Sequence, residues 1–238
     1  MKSWMQLTAL FAGLGVVAWV VYSYFNPSAE SNPIVVEDGA QSVTILPWDT
    51  LGDYMDPNLG WVHRQFWAIE PMRVSYGEKN GKNALKCETN SSASILSRTT
   101  DIEMGDYPVL AWDWLIDYPI SSTVDEATEQ GDDHPARLIL KMEDREGGEY
   151  TFEIIWSNQK YEPGDYKYIG DFAHYVANGL DENTRVWQHQ EVNLMEIYRE
   201  VFGRDDFPIL KSIGIFCDSD NTGARSIAYF SDVELLVR

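Results

Sequence analysis

The chain has 238 residues, with 38 acidic against 18 basic side chains and a formal net charge of −20 at pH 7. Charge of that sign repels nucleic-acid phosphates and excludes nucleic acid as a partner. It also disfavours anionic lipid and anionic polysaccharide unless a divalent cation intervenes. Apolar residues make up 44% of the chain, with nine Trp and thirteen Tyr, enough for a large aromatic-rich core.

The first segment differs from the rest. No side chain between Ser3 and Ala29 is charged, and the apolar run Trp4–Phe25 has 22 residues. That is about the length needed to span a bilayer as a helix. Lys2 precedes the run, whereas Glu30, Glu37 and Asp38 follow it. The positive-inside rule then puts the N-terminus in the cytoplasm and the main domain outside. Trp4 at one end and Trp19, Tyr22 and Tyr24 at the other suit the two membrane interfaces. A cleaved signal peptide has a shorter apolar region, and Pro27 stands where its cleavage site needs a small residue. The expected organisation is a transmembrane signal-anchor helix over 1–25, a linker over 26–41 and a periplasmic domain over 42–238, held on the cytoplasmic membrane by a single pass.

Short segments with β character follow. In chain order they are 42–46 (SVTIL), 73–76, 83–89 (NALKCET), 92–98 (SASILSR), 109–117 (VLAWDWLID), 136–142 (ARLILKM), 149–156 (EYTFEIIW) and 224–237. Several alternate with period two, as half-buried strands do. Leu110, Trp112, Trp114 and Ile116 share one face, and Ala111, Asp113, Leu115 and Asp117 the other. Gly147-Gly148 reads as a hairpin turn. One stretch reads as helix. Asn193 and Glu196 form a capping box, Leu194, Ile197, Tyr198 and Val201 recur at helical spacing, and Gly203 stops it. The predicted fold is all-β, a jelly-roll-like antiparallel β-sandwich with one short helix after the N-terminal anchor. Cys87 and Cys217 each fall in an expected strand. They are either a disulfide pair outside the cytoplasm or two small core residues.

Three blocks carry a family resemblance: YPVLAWDWLID (107–117), GDDHPARLIL (131–140) and the 213–235 run containing DSDNTG. With the SASILSR strand and the 187–203 segment, they resemble the bacterial family known as domain of unknown function 3047. The resemblance spans roughly residues 45–237. It implies an exported, carbohydrate-binding-module-like sandwich and no stated activity. This chain differs at Asp113, where the family pattern leads one to expect a basic residue, and in its retained anchor.

Asp218-Ser219-Asp220-Asn221-Thr222-Gly223 places oxygen ligands at alternate positions before a Gly, as the start of a Ca²⁺ loop does. Asp218, Asp220 and Thr222 are the candidate ligands, although the twelfth position is Tyr229 rather than an acid. The competing reading is a turn held by side chain to backbone hydrogen bonds. Asp132, Asp133 and Arg137 form a second candidate group. The carboxylates either face a ligand or pair with Arg137 at the start of a strand. Trp112, Trp114 and Trp156 alternate regularly and are expected in the core. Trp48, Trp61, Trp67 and Trp187 lie in less regular segments and are expected, with Asn221, on a ligand or partner surface. His63, His134, His174 and His189 show no metal-pair spacing. No nucleophile elbow is present. Glu143, Asp144 and Glu146 run into the Gly-Gly turn rather than toward a cleft.

The sequence therefore points first to a non-enzymatic, membrane-anchored accessory or interaction subunit of a membrane protein complex, contacting the lipid bilayer through its N-terminal helix. The alternative is a carbohydrate-binding-module-like protein with a glycan partner and a structural Ca²⁺. A glycan-active hydrolase is a remote third reading.

Overall fold

The computed structural model describes residues 32–46 and 59–237. The anchor expected over 1–25, the start of the linker and Trp48 lie outside the described residues. Among the described residues no helix is long and apolar enough to cross a membrane. Residues 32–41 of the linker carry no helix or strand.

Two sheets face each other. The first has six strands: β1 (Ser42–Thr44), β3 (Arg73–Lys79), β4 (Lys82–Asn90), β6 (Val109–Tyr118), β11 (Gln188–Asn193) and β13 (Arg225–Leu236). Its order is β11-β6-β13-β4-β3, with β1 also paired to β13. The second has seven: β2 (Trp61–Gln65), β5 (Ala93–Glu103), β7 (Arg137–Glu143), β8 (Glu149–Ser157), β9 (Tyr166–Ile169), β10 (Phe172–Gly179) and β12 (Ile209–Asp218). Its order is β2-β5-β12-β7-β8-β10-β9. The described residues thus form an all-β sandwich with one short α-helix, α1 (Leu194–Phe202).

The all-antiparallel expectation needs one correction, because β8 and β10 run parallel. Strand β9 lies between them in the chain but pairs antiparallel with β10 on the sheet's outer edge, so β10 returns beside β8 in the same direction. Strands β2, β9, β10, β11 and β12 were not among the predicted segments, although Cys217 of β12 was expected in a strand. β11 (QHQEVN) is a polar edge strand that pairs only with β6, so it needs no apolar alternation.

Alternation builds the core. On β6, Leu110, Trp112, Trp114 and Ile116 are wholly buried between the sheets. Trp112 and Trp114 meet edge to face at 5.2 Å, and Trp114 meets Trp156 of β8 at 5.5 Å. Each such pair adds about 1 kcal/mol beyond its buried area. On the outer side of the same strand, Asp113 pairs with Lys82 and with His189 Nδ1 at 3.1 Å. Cys87 of β4 and Cys217 of β12 form a disulfide joining the two sheets, with Cα atoms 6.5 Å apart and a sequence separation of 130.

The helix follows its sequence signals. Asn193 Oδ1 accepts from the N–H groups of Met195 and Glu196, its amide donates to Glu196 Oε1 at 3.1 Å, and Gly203 closes the helix in the left-handed region at φ 65°. The buried face, Leu194, Ile197 and Tyr198, packs onto the core.

Candidate functional site

On the seven-stranded sheet, alternation sends Leu138 and Leu140 of β7 and Phe152, Ile154 and Trp156 of β8 into the core. Arg137, Ile139 and Glu153 must then face the other side. A bulge between Leu210 and Ser212 resets β12, so that Ile213, Ile215 and Cys217 point inward and Gly214, Phe216 and Asp218 outward. The outer face is therefore chemically mixed, although its strands are mostly apolar in sequence.

At one end of this face the segment between β6 and β7 folds over the strands. Glu126, wholly buried, accepts from Ser157 Oγ and from the backbone N–H groups of Asn158, Gln159 and Lys160 at 2.8–3.0 Å. Gly131 lets this segment close on itself, since a Cβ there would lie 2.2 Å from the Asp125 carbonyl oxygen. Asp132, Asp133 and His134 are thereby carried over the ends of β7 and β12.

Arg137 is the hub, at 2% exposure. Its Nη1 donates to Glu153 Oε2 at 2.7 Å and lies 3.6 Å from Asp132 Oδ2. Its Nε and Nη2 donate to the two oxygens of Asp218 at 3.2 and 2.5 Å, and Nη2 also donates to the Asp132 carbonyl. Asp218 Oδ1 accepts a further bond from the His134 N–H at 2.8 Å. Lys167, also buried, pairs with Asp132 and donates to His134 Nε2 at 2.9 Å, while His134 Nδ1 faces the Trp156 carbonyl at 2.8 Å.

The titration of the cluster follows from these neighbours. Burial and the Lys167 charge push His134 down to about 3, so it is neutral, donating from Nδ1 and accepting at Nε2. Burial would raise Asp132, but the charges of Arg137 and Lys167 outweigh it and hold the carboxyl well below its ordinary range. Burial likewise opposes ionisation of Glu153, and Arg137 overcomes it, leaving that group lowered. Asp218 goes the other way. Burial, with the Asp133 charge beside it, pushes it up to about 8 against the pull of Arg137.

The two sequence blocks meet here. Asp133 does not pair with Arg137. Its oxygens instead accept from the Asn221 N–H, the Thr222 N–H and the Thr222 hydroxyl at 3.2, 2.6 and 2.5 Å, fixing the 218–223 turn from across the fold. The pairing of Arg137 with Asp132 corresponds to the structural role considered for it. Thr222, a candidate Ca²⁺ ligand, turns its hydroxyl to Asp133. The carboxylates that converge, within 4.8 Å of one another, are Asp133, Asp218 and Asp220.

The cluster opens into a cavity of about 270 Å³. Phe66, Phe172 and Phe216 line it together with Arg137, Glu153 and His174, and Asp218, Asp220 and Asn221 close its far end. Farther along the same face lies a second hollow of about 140 Å³, lined by Arg64, Ile95, Ser97, Ile139, Lys141 and Ser212. Both draw on β5, β12, β7 and β8. Gly214, itself buried, pairs with Ser97 on one side and Ile139 on the other. A Cβ there would sit 2.8 Å from Ile95 and 2.9 Å from Ile139, so these two side chains close over the glycine on this face. A separate, larger hollow of about 480 Å³ lies on the other sheet's edge, where Glu70, Arg73 and Arg225 are exposed.

Of the four tryptophans expected on a surface, the three among the described residues lie apart. Trp67, 78% exposed, stands between the cavity-lining residues Phe66 and Ile69. Trp187 is half-buried at the six-stranded sheet and donates to the Lys79 carbonyl at 3.1 Å. Trp61 corrects the expectation, because it is 2% exposed and part of the core. Gly60 at φ 77° turns the chain into β2 there, and Arg98 lies over the indole ring at 5.9 Å. Glu153, Lys167 and His174 were not singled out in the sequence. Glu153 carried a signal, being one carboxylate inside the apolar run FEIIW.

These features define a β-sandwich that carries a buried ion-pair cluster beside a hollow on one sheet face. The chain belongs to the family described as "Protein of unknown function (DUF3047)", which matches residues 59–234. No curated protein matches the chain. Among solved structures, the enzymatically active domain of bacteriophage CBA120 tailspike protein 4 aligns at 11% identity and a TM-score of 0.39, over 75% of this chain but 19% of that one. A family 30 carbohydrate-binding module of a Clostridium thermocellum cellulosomal cellulase aligns at 14% identity and TM-score 0.39, covering 74% of this chain and 86% of that one. A CBM28 module specific for non-crystalline cellulose aligns at 16% and 0.39, covering 86% and 99%.

Proposed function

We propose that this protein is a glycan-binding module whose site is the groove of about 270 Å³ at one end of the outer face of the seven-stranded sheet. The observation that carries the reading is the meeting, in that groove, of the Arg137 cluster with the aromatic rings of Phe66, Phe172 and Phe216. A sugar ring presents hydroxyls around its edge and C–H groups on its faces. Carboxylates, guanidinium and imidazole answer the hydroxyls, and Phe66, Phe172, Phe216 and the exposed Trp67 offer surfaces to the C–H faces. The polar groups are held in place before any ligand arrives, because Arg137 ties Glu153 and Asp218 into one network. That network also favours binding over hydrolysis in this reading, since both carboxylates are engaged with the same guanidinium.

In this proposal residues 1–25 hold the groove at the outer surface of the cytoplasmic membrane. The accessory-subunit alternative rests on that segment alone.

Calorimetric titration of the full chain in detergent with a panel of oligosaccharides tests the reading. One glycan class is expected to bind, and Trp67→Ala is expected to weaken it about tenfold, as loss of an aromatic anchor does. Absence of heat with every class would refute it. So would binding that Trp67→Ala and Phe172→Ala leave unchanged.

A further inference from the structure

The second hollow, of about 140 Å³, differs in charge from the groove beside it. Its place follows from the register. Leu96, Leu138, Leu140 and Phe152 point into the core, so Ile95, Ser97, Ile139, Lys141 and Thr151 face outward. Arg64 of β2 pairs with Ile95 and shares that face. Lys141 of β7 pairs with Ser212 on one side and Thr151 on the other. Arg64 and Lys141 thus stand on strands separated by β5 and β12, and both line the one hollow.

The donors around this space are largely unengaged. Arg64, exposed on edge strand β2, makes no ion pair or side-chain hydrogen bond among the described residues. The chain holds 38 acids to 18 bases, so Arg64 is not alone for want of acids. Lys141 meets Glu149 at 2.6 Å, a solvent-facing pair that occupies one of its three donors. The half-buried Thr151 and Ser212 hydroxyls have no hydrogen-bond partner among the described residues, and Ser97 Oγ makes one long bond, to the Val62 carbonyl at 3.4 Å. No acid is among the lining residues. Glu153, across from Ile139 on the same face, has its charge engaged by Arg137.

We infer that this hollow takes an oxyanion carried on a sugar ring, the carboxylate of a uronic acid or a sulfate ester. The inference rests on the glycan-binding reading and names its substrate class. Ile95 lines this hollow and pairs with Phe216, which lines the groove, so the two sites are neighbours on one face and take adjacent rings of one chain. A guanidinium fork matches a planar or tetrahedral oxyanion with two parallel bonds. Lys141, Thr151 and Ser212 supply further donors, and Ile95 and Ile139 offer surface to ring C–H groups. An amino sugar would meet Arg64 and Lys141 as a like charge. The net charge of −20 opposes an acidic chain from afar, but physiological salt screens charges beyond about 8 Å, and within that range the two lining cations act without a bridging metal ion.

The test is calorimetry on the full chain in detergent at physiological salt, with EDTA present so that no divalent cation bridges. Trisaccharides of glucose, galactose and mannose are each compared with the matching uronate and with the matching sulfate ester. In the series that binds, one acidic form is expected to bind at least tenfold tighter than the neutral one, and the tighter form tells carboxylate from sulfate. Arg64→Gln and Lys141→Gln should each shrink that ratio, with circular dichroism checking their folding. Arg73→Gln, which removes an exposed cation on the other sheet, should leave it unchanged. Equal affinity for neutral and acidic forms, or a ratio that Arg64→Gln leaves intact, would overturn the inference and leave the groove reading standing. A ratio lowered equally by Arg73→Gln would trace it to general charge and overturn the inference too. No binding by any sugar would overturn both readings.

Discussion

Arg137→Met removes the cation that three buried carboxylates share, with little loss of side-chain length. In the native protein Arg137 Nη1 donates to Glu153 at 2.7 Å and its Nε and Nη2 donate to Asp218 at 3.2 and 2.5 Å. Deleting one member of a buried ion pair strands the other, at a cost of about 3–5 kcal/mol. With a urea slope of about 2 kcal/mol per M, the unfolding midpoint should fall by roughly 2 M. The pH dependence adds a signature. Arg137 holds Asp132 and Glu153 below their ordinary range, so its contribution is present at neutral pH and is lost as pH falls through about 4 and lower. The gap between wild type and variant should therefore narrow on acidification. Lys160→Met, which removes an exposed partner of Asp125, serves as the control and should leave the midpoint unchanged. A midpoint shift for Arg137→Met no larger than the control's, or a gap independent of pH, would show that the cluster is neither buried nor coupled as described.

Three further predictions follow from the same geometry. Folded Asp218, raised to about 8, retains a proton that the unfolded chain releases near pH 4, so stability should fall as pH rises between those values, and Asp218→Asn should flatten that slope in urea titrations at pH 5 and pH 8. Breaking the Cys87–Cys217 bridge, which closes 130 residues of chain, should cost about 2–5 kcal/mol. Thiol counting in denaturant, before and after reduction, checks the bridge, and free thiols without reductant would contradict it. Asn193→Ala removes the side-chain acceptor for the Met195 and Glu196 N–H groups and should destabilise by about 1 kcal/mol, with Asn193→Asp nearly neutral.

The fold was legible where one face of a strand is buried and the other is not. The segments read as 109–117, 136–142 and 149–156 became β6, β7 and β8, and Trp112, Trp114 and Trp156 lie in the core as expected. The helix was legible because its signals are local: an Asn cap, a Glu three residues on and a stopping Gly. β11 escaped because an edge strand need not alternate, and β9 and β10 because their parallel return beside β8 is a long-range choice. Trp61 was misplaced for a similar reason. Five residues beginning at a positive-φ glycine give too short a pattern to show that the first side chain turns inward.

The candidate site was half legible. The DD-x-PAR and DSDNTG blocks stood out as separate motifs, and the structure joins them through Asp133 to Asn221 and Thr222 and through Arg137 to Asp218. Their partners Lys167 and His174 come from strands whose pairing the sequence did not reveal, so their convergence could not be read from spacing. Glu153 differs. A single acid within FEIIW predicts either an exposed stripe or a buried pair, and only the covering segment 119–136 decides for the pair.

The most direct test of the groove is to map a bound oligosaccharide onto the protein. Amide chemical shifts of the full chain in detergent, titrated with the tightest glycan from the panel, should move at Trp67, Phe172, His174 and Asn221, around the groove at one end of the seven-stranded sheet. Shifts confined to Arg73, Glu88 and Arg225, in the larger hollow on the opposite sheet's edge, would contradict the assignment.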